Sequence, residues 1–582
     1  MMPSRSNSQS PEVIHPAWWQ GIVTPGLAGD RPKRDRLLEA LPKELNALAL
    51  KPDKPFAWVV FLGGTGTGKS TLFDLFCGSE VSRTGVARPM TAGPVAFVHR
   101  NLEVRQSDLP FFLPPLSLGS SQKPVQGQSD ALLAVRHATD SLRHLILVDT
   151  PDLDSLVAEN QRLAEDLMLV ADAVVFVASQ EKYADDILAG ALHRVGRAGK
   201  ALFFVLNKAE LRAEAGRGLL HDVRYTLDPD GAYLGPGNTW ALPFAPSDPL
   251  ASLPGDPHFE ELSRSFFARL SARDLEETLR KQQRLEWPSV QEDISQLVRL
   301  LKDEEESAAQ WLASLDRLYG QAREKLLQRA EERFQATTRS HIQAEIRKLF
   351  SRYDLLAGPR RAVWRTVRLP FRLLGLGGTP DQPSRQEALE QVRHKSALEP
   401  VLETLDSFQR LALDALDAPT SAGELHACLT HPGTLLRREE AGELVQQEQK
   451  RLADWLEGRF EELTRELPRS KVYGIYSTSL LWGVLILSFE AAVGGGITLV
   501  EALIDSALAP FVTKGTVELF VYREVQAIGR ELARRHREGL LSVLEIQKER
   551  FAGCLKNLRP PQGKIDALQA LSRQSQPPQA PQ

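Results

Sequence analysis

The clearest chemistry in this 582-residue chain lies in eight consecutive residues, Gly63-Gly64-Thr65-Gly66-Thr67-Gly68-Lys69-Ser70, which satisfy G-x-x-x-x-G-K-[ST]. Glycines at 63, 64, 66 and 68 let a backbone wrap closely around a polyphosphate with its N–H groups turned inward. A helix starting near Ser70 would add the positive end of its dipole. Lys69 is the amine to neutralise β and γ oxygens, Ser70 the hydroxyl to ligate Mg²⁺, and Thr71 continues the phosphate-facing first turn. The apolar run Phe56 to Leu62 before the loop reads as a buried strand, and Thr71-Leu72-Phe73-Asp74-Leu75-Phe76 after it reads as a helix. Without that context the glycines would be an ordinary turn.

Two later stretches close apolar runs with polar groups. Asp149-Thr150-Pro151-Asp152 ends the run His144 to Val148, setting a carboxylate where Mg²⁺ needs an outer partner and an N–H where a γ-phosphate could be sensed. Asn207-Lys208-Ala209-Glu210 ends the run Ala201 to Leu206. An amide, an aliphatic stem and a carboxylate at this spacing suit a guanine base, whose N–H donors a carboxylate accepts.

In order and spacing these residues resemble the translation-factor-like class of P-loop GTPases, with patterns D-x-x-G and N-K-x-D; the match covers roughly residues 56–247. The resemblance implies GTP or GDP as ligand and Mg²⁺ as cofactor. It assigns Lys69, Thr91 and Asp149 to catalysis, Ser70, Thr91 and Asp149 to the metal, and Asn207, Lys208 and Glu210 to the base. Thr91, in Arg88-Pro89-Met90-Thr91, falls where such families place the switch threonine, with Thr84 the weaker competitor. Three departures stand out. Asp152 occupies the family's glycine position, Glu210 replaces an aspartate with a carboxylate one methylene longer, and Leu153 stands where many small GTPases carry a water-orienting glutamine. Slow intrinsic hydrolysis follows unless another group completes the site, with Arg83, Arg88 and Arg100 as candidates in trans. Ala245-Pro246-Ser247, after the strand-like run Trp240 to Phe244, is the candidate last base-contacting loop. GTP is favoured over ATP.

These motifs need a sheet to carry them. Val95 to Val98, His144 to Val148, Ala173 to Ala178 and Ala201 to Leu206 alternate with helical stretches, which predicts an α/β P-loop domain over 53–257: a mostly parallel sheet with helices on both faces and ligands at the strands' carboxyl ends. Residues 1–52 read as a disordered segment followed by a helix over Asp35 to Leu50. A net charge of −4 with 25% charged residues gives no global argument for nucleic acid, and none is expected as a partner. Cys77, Cys428 and Cys554 lie far apart in sequence, so neither a disulfide framework nor a zinc site is expected, and a reducing cytosol is the default. Met1 to Gln20 has no apolar run and holds Pro3, Pro11 and Pro16, so no secretory leader is expected.

Beyond Pro257 the chain reads as helical: a stalk or bundle over 258–471, an apolar hairpin over 472–512, a returning helix over 513–571 and a disordered tail over 572–582. Val290, Ile294, Leu297, Leu301, Trp311, Leu315, Leu318, Leu326 and Phe334 mark one amphipathic pattern that spans roughly 65 Å if unbroken. Val472 to Phe489 is 18 residues without a charge, and the next apolar stretch, Ile497 to Val512, is interrupted by Glu501, Asp505 and Pro510. The pair is either a hairpin dipping into one leaflet or a buried core hairpin. The segment 355–380 interleaves Arg360, Arg361, Arg365, Arg368 and Arg372 with Val363, Trp364, Val367, Phe371 and Leu374, which suits an anionic lipid surface, an ordinary solvated face or, less well, RNA. A GTPase head, long returning helices and an apolar hairpin together resemble bacterial dynamin-like proteins and mitofusins. That resemblance implies a GTPase whose heads pair, giving a homodimer or higher self-assembly, and which binds or remodels an anionic membrane surface from the cytoplasm, at the inner face of the plasma membrane. The rivals are a soluble GTP switch whose helical domain binds a protein partner, and an ATP-driven mechanoenzyme.

Overall fold

The strand before the glycine loop, β1 (Ala57–Gly63), is buried at every residue, and side-chain alternation sends it to two cores at once. Trp58, Val60 and Leu62 join one core; Val59 and Phe61 join the other. The computed structural model describes residues 13–335, 398–466 and 519–578, less short stretches at 52–53, 83–92, 106–107, 120–123, 156, 182–185, 211–214, 245–248, 272, 274 and 417–422.

Following β1 come α2 (Lys69–Cys77), β2 (Val95–His99), β3 (Leu116–Leu118), β4 (Leu132–His137), β5 (Leu145–Asp149), α3 (Ala158–Val170), β6 (Ala173–Ser179), α4 (Asp186–Arg197), β7 (Ala201–Ala209), α5 (Ala215–Leu227), β8 (Thr239–Pro243) and α6 (Pro257–Arg269); α1 (Arg31–Leu50) precedes β1. The eight strands form one sheet in the order β3-β4-β2-β5-β1-β6-β7-β8. Every neighbouring pair is parallel except β2 and β5. Leu163 and Leu167 of α3 and Leu188 and Leu192 of α4 cover one face, while Phe73 and Phe76 of α2 and Phe259, Leu262 and Phe266 of α6 cover the other. Two covered faces explain why the inner strands read as unbroken apolar runs. β3 and β4 do not read that way. β4 carries Arg136, whose guanidinium donates to the carbonyls of His99 (3.1 Å) and Leu102 (2.7 Å).

The chain divides into two compact units, residues 1–22, 30–303 and 560–582 in the first and 23–29 with 304–559 in the second. The division falls within α7 (Leu275–Gln335). In the first unit a helical core joins Leu41, Leu45 and Leu48 of α1, Trp287, Ile294 and Leu297 of α7, and Ile565, Leu568 and Leu571 of the last helix, Gln562–Ser572. The second unit contains α8 (Leu398–Asp414), α9 (Glu424–Leu429), α10 (Arg438–Glu466) and α11 (Leu519–Leu558). Buried Gln547 of α11 ties it together: its Oε1 accepts from the Leu436 N–H (2.7 Å) and Gln409 Nε2 (2.8 Å), and its Nε2 donates to the Thr434 carbonyl (3.2 Å).

The cysteines depart from the sequence expectation of no disulfide. A disulfide joins Cys428 on α9 to Cys554 on α11, 126 residues apart, and Cys77 stays a buried free thiol. Helix packing creates that proximity, which sequence spacing does not encode. The basic segment 355–380 and the apolar segment 472–512 lie outside the described residues. Among the described residues, no helix is long and apolar enough to cross a membrane.

Candidate functional site

The glycine loop joins β1 to α2 at the carboxyl edge of the sheet, and its shape depends on two left-handed residues, Gly66 (φ 78°) and Gly68 (φ 88°). At Gly68 a Cβ would also stand 2.2 Å from Asn207 Nδ2, so only glycine fits. Thr67 closes the loop on itself, its hydroxyl (2.8 Å) and N–H (3.2 Å) both donating to the Gly64 carbonyl. The N–H groups of Lys69, Ser70 and Thr71 belong to the first turn of α2, where a helix supplies no i−4 acceptor. Ser70 and Thr71 are half-buried there.

β7 braces the loop from the side. Its pairing with β8 shifts register between Leu206 and Ala209, a local irregularity that re-aims the intervening side chains. Asn207 Nδ2 donates to the Thr67 carbonyl (2.9 Å), and Lys208 Nζ to the Gly66 carbonyl (2.8 Å). Lys208 does so from φ 59°, the only positive φ among the described non-glycine residues. Glu210 is exposed just beyond, its N–H donating to Gln180 Oε1 (3.3 Å).

Lys69 is buried and oriented by the end of β5 and the residues after it. Its Nζ meets Asp149 Oδ1 at 2.7 Å, donates to the Thr150 carbonyl and lies 3.9 Å from Asp152 Oδ1. The other oxygen of Asp149 accepts from the Ser82 hydroxyl at 2.7 Å. Burial pushes the Asp152 carboxyl above its ordinary range, opposed by Lys69 and Thr65 and reinforced by Asp154 and Asp149. Asp74 of α2 accepts from the N–H groups of Val81 (3.0 Å) and Ser82 (2.9 Å), and burial lifts its pKa to about 7 despite them, with Asp149 and Glu80 adding to the rise. Asp154 Oδ1 takes both the Thr65 N–H (2.6 Å) and the Thr65 hydroxyl (2.7 Å).

The fold thus gathers residues 63–71, Asp149, Asp152, Asn207 and Lys208 around one loop. Thr84, Thr91, Arg83, Arg88 and residues 245–247 lie outside the described residues. Arg100, a candidate only in trans, lies away from the loop of its own chain: β2 runs antiparallel to β5 with Val95 opposite Asp149, so Arg100, after His99, falls at the far edge. Leu153 is 3% exposed and its N–H donates to the Gly63 carbonyl (3.1 Å), which leaves its side chain in the core rather than beside an attacking water. Asp74, Ser82 and Asp154 were not singled out from sequence. Only Asp154 carried a signal, as the third acid in Asp149-Thr150-Pro151-Asp152-Leu153-Asp154.

The donor set fits a polyphosphate with Mg²⁺. An amine and the first-turn amides of α2 suit the anion, while Ser70 and Asp149 supply the hydroxyl and carboxylate oxygens Mg²⁺ prefers when phosphate oxygens complete its shell. No cluster of three or more His, Cys, Asp or Glu side chains among the described residues is arranged to hold a metal by itself.

No protein-family model matches the chain. It is 24% identical over 186 residues to an uncharacterized protein in the xynA 3′ region of Caldicellulosiruptor sp. (strain Rt8B.4), covering 30% of this chain and 46% of that one. It is 25% identical over 163 residues to a probable transmembrane GTPase, FZO-like and chloroplastic, of Arabidopsis thaliana, covering 28% and 16% respectively. The match therefore spans less than half the length of either curated relative. Two solved structures, described as an oligomerised bacterial dynamin pair that provides a mechanism for long-range sensing and tethering of membranes, align with this chain. One does so at 15% identity and TM-score 0.30 over 91% of this chain and 92% of that one, the other at 13% and 0.31 over 94% and 96%.

Proposed function

We propose that this chain binds and hydrolyses GTP with Mg²⁺, as a dynamin-like protein whose heads pair and whose helical part engages a membrane from the cytoplasmic side. The observation that carries the nucleotide reading is the convergence of Asn207 and Lys208 on the backbone of the same loop that holds Lys69, with Asp149 on the lysine. A P-loop alone fits ATP or GTP; an amide and a lysine stem braced against the loop support guanine, because the stem suits a stacked ring and Glu210 offers a carboxylate for its N–H donors.

Each role follows from the side chain's own chemistry. Lys69 neutralises phosphate oxygens, the loop amides hold them, and Asn207 keeps the loop and base strand in one register. Mg²⁺, when bound, supplies charge neutralisation between phosphate groups, with Ser70, Asp149 and Thr91 as the residues to hold it. Leu153 cannot orient a water, so turnover by a single molecule is slow and a paired head or another group completes the site.

The membrane half rests on the uncharged stretch within 472–512, the basic segment 355–380 and the likeness to a plant protein described as a transmembrane GTPase. Flotation with anionic liposomes tests it: co-flotation that is lost when Leu485 and Leu487 are made charged, with folding kept, supports the membrane role. A protein that stays at the bottom of the gradient is instead a soluble switch that buries the same segment.

A further inference from the structure

We infer that Asp154 is a built-in occupant of the phosphate cradle, which nucleotide must displace, so that its charge keeps the complex weak and readily exchanged. The inference rests on the nucleotide reading above and concerns the affinity of that same site. Thr65 is the third residue of the glycine loop, so its N–H belongs to the backbone that wraps a polyphosphate. Here both that N–H and the Thr65 hydroxyl converge on a single carboxylate oxygen, Asp154 Oδ1, at 2.6 and 2.7 Å. Carboxylate and phosphate oxygens are anionic acceptors that compete for the same amides.

Asp154 is held in this position from both sides. Leu153 N–H is fastened to the Gly63 carbonyl (3.1 Å) and Ser155 N–H to the Asp152 carbonyl (3.2 Å), so the stretch lies against the start of the loop. The other oxygen, Oδ2, would be 3.3 Å from a Cβ at Gly64, which puts the carboxylate across Gly64 and Thr65. The cradle's lysine is neutralised from the same stretch, by Asp149 at 2.7 Å with Asp152 at 3.9 Å. Three carboxylates within six residues therefore stand where an incoming polyphosphate must bring more negative charge.

The substitution Asp154→Asn separates charge from scaffolding, because the amide oxygen can still accept from Thr65 while the negative charge is gone. Equilibrium titration and stopped-flow association of methylanthraniloyl-GDP and methylanthraniloyl-GTP with Mg²⁺ would compare the full chain, Asp154→Asn and Lys69→Ala. The inference predicts binding to Asp154→Asn that is tighter by about tenfold or more, with a faster association rate and tighter competition by pyrophosphate. A merely structural role for Asp154 would lose affinity instead. Unchanged or weaker binding by Asp154→Asn, where the native chain binds and Lys69→Ala does not, overturns the inference and leaves the nucleotide reading standing. Absence of binding by all three proteins overturns both.

Discussion

Replacing Lys51 with methionine should destabilise the sheet-bearing unit by about 3 kcal/mol, the lower part of the range for stripping one partner from a buried ion pair. The Lys51 side chain has no exposed surface, and its Nζ meets Asp172 Oδ1 at 2.9 Å, Glu286 Oε1 at 2.8 Å and the Ala171 carbonyl at 3.1 Å. Burial alone would lower its pKa, but the two carboxylates outweigh burial and hold it above the ordinary lysine value. Methionine keeps the stem and removes the charge, leaving two buried acids short of a cation. The cost falls at the low end for two reasons. Lys200 Nζ remains 3.4 Å from Glu286 Oε1, and Asp172 Oδ2 still accepts from the Trp58 N–H at 2.8 Å. Urea unfolding at pH 7.5, followed by tryptophan fluorescence, measures the change. GTP binding at 20 °C should be unaffected, since Asp172 and Lys200 lie at the starts of β6 and β7, whereas the glycine loop lies at the carboxyl edge. A loss below about 1 kcal/mol would mean that the cluster contributes little beyond hydrophobic packing, and would refute the reasoning.

Two further outcomes concern pH and covalent structure. Burial depresses the His137 pKa from 6.5 to about 4, helped by His99 and Arg136, so its contribution is present above pH 6.5 and is lost as pH falls through about 4. His137→Phe, which keeps the stacking on Phe97, should flatten that acid loss by about 2 kcal/mol in urea midpoints compared at pH 7 and pH 4.5. The Cys428–Cys554 bridge closes a separation of 126 residues, so Cys428→Ser should cost the helical unit about 4 kcal/mol without reductant and almost nothing in dithiothreitol. Alkylation of the unreduced, denatured protein should label Cys77 alone.

The inner strands were legible because a doubly covered parallel sheet needs continuous apolar runs, and β1, β5, β6 and β7 fall within a residue or a few of those runs. β4 was not legible, because its apolar run Leu132 to Val135 is short and closes on Arg136 and His137, and the carbonyls that receive the guanidinium are chosen by packing. The glycine loop was readable because its chemistry is local, residue after residue. The grip of Asn207 on Thr67 was readable only as a motif, since no sequence rule gives a contact across 140 positions. Asp154 and the two bridged cysteines were missed for the same reason: their partners are chosen by packing, not by spacing.

The central claim is tested most directly by titrating the full chain with methylanthraniloyl-GTP in Mg²⁺, with unlabelled GTP and ATP as competitors and Lys69→Ala as the control. The account predicts saturable binding displaced by GTP far better than by ATP and abolished by Lys69→Ala. Equal or better displacement by ATP would contradict the guanine assignment of Asn207, Lys208 and Glu210, and binding that survives Lys69→Ala would contradict the phosphate site itself.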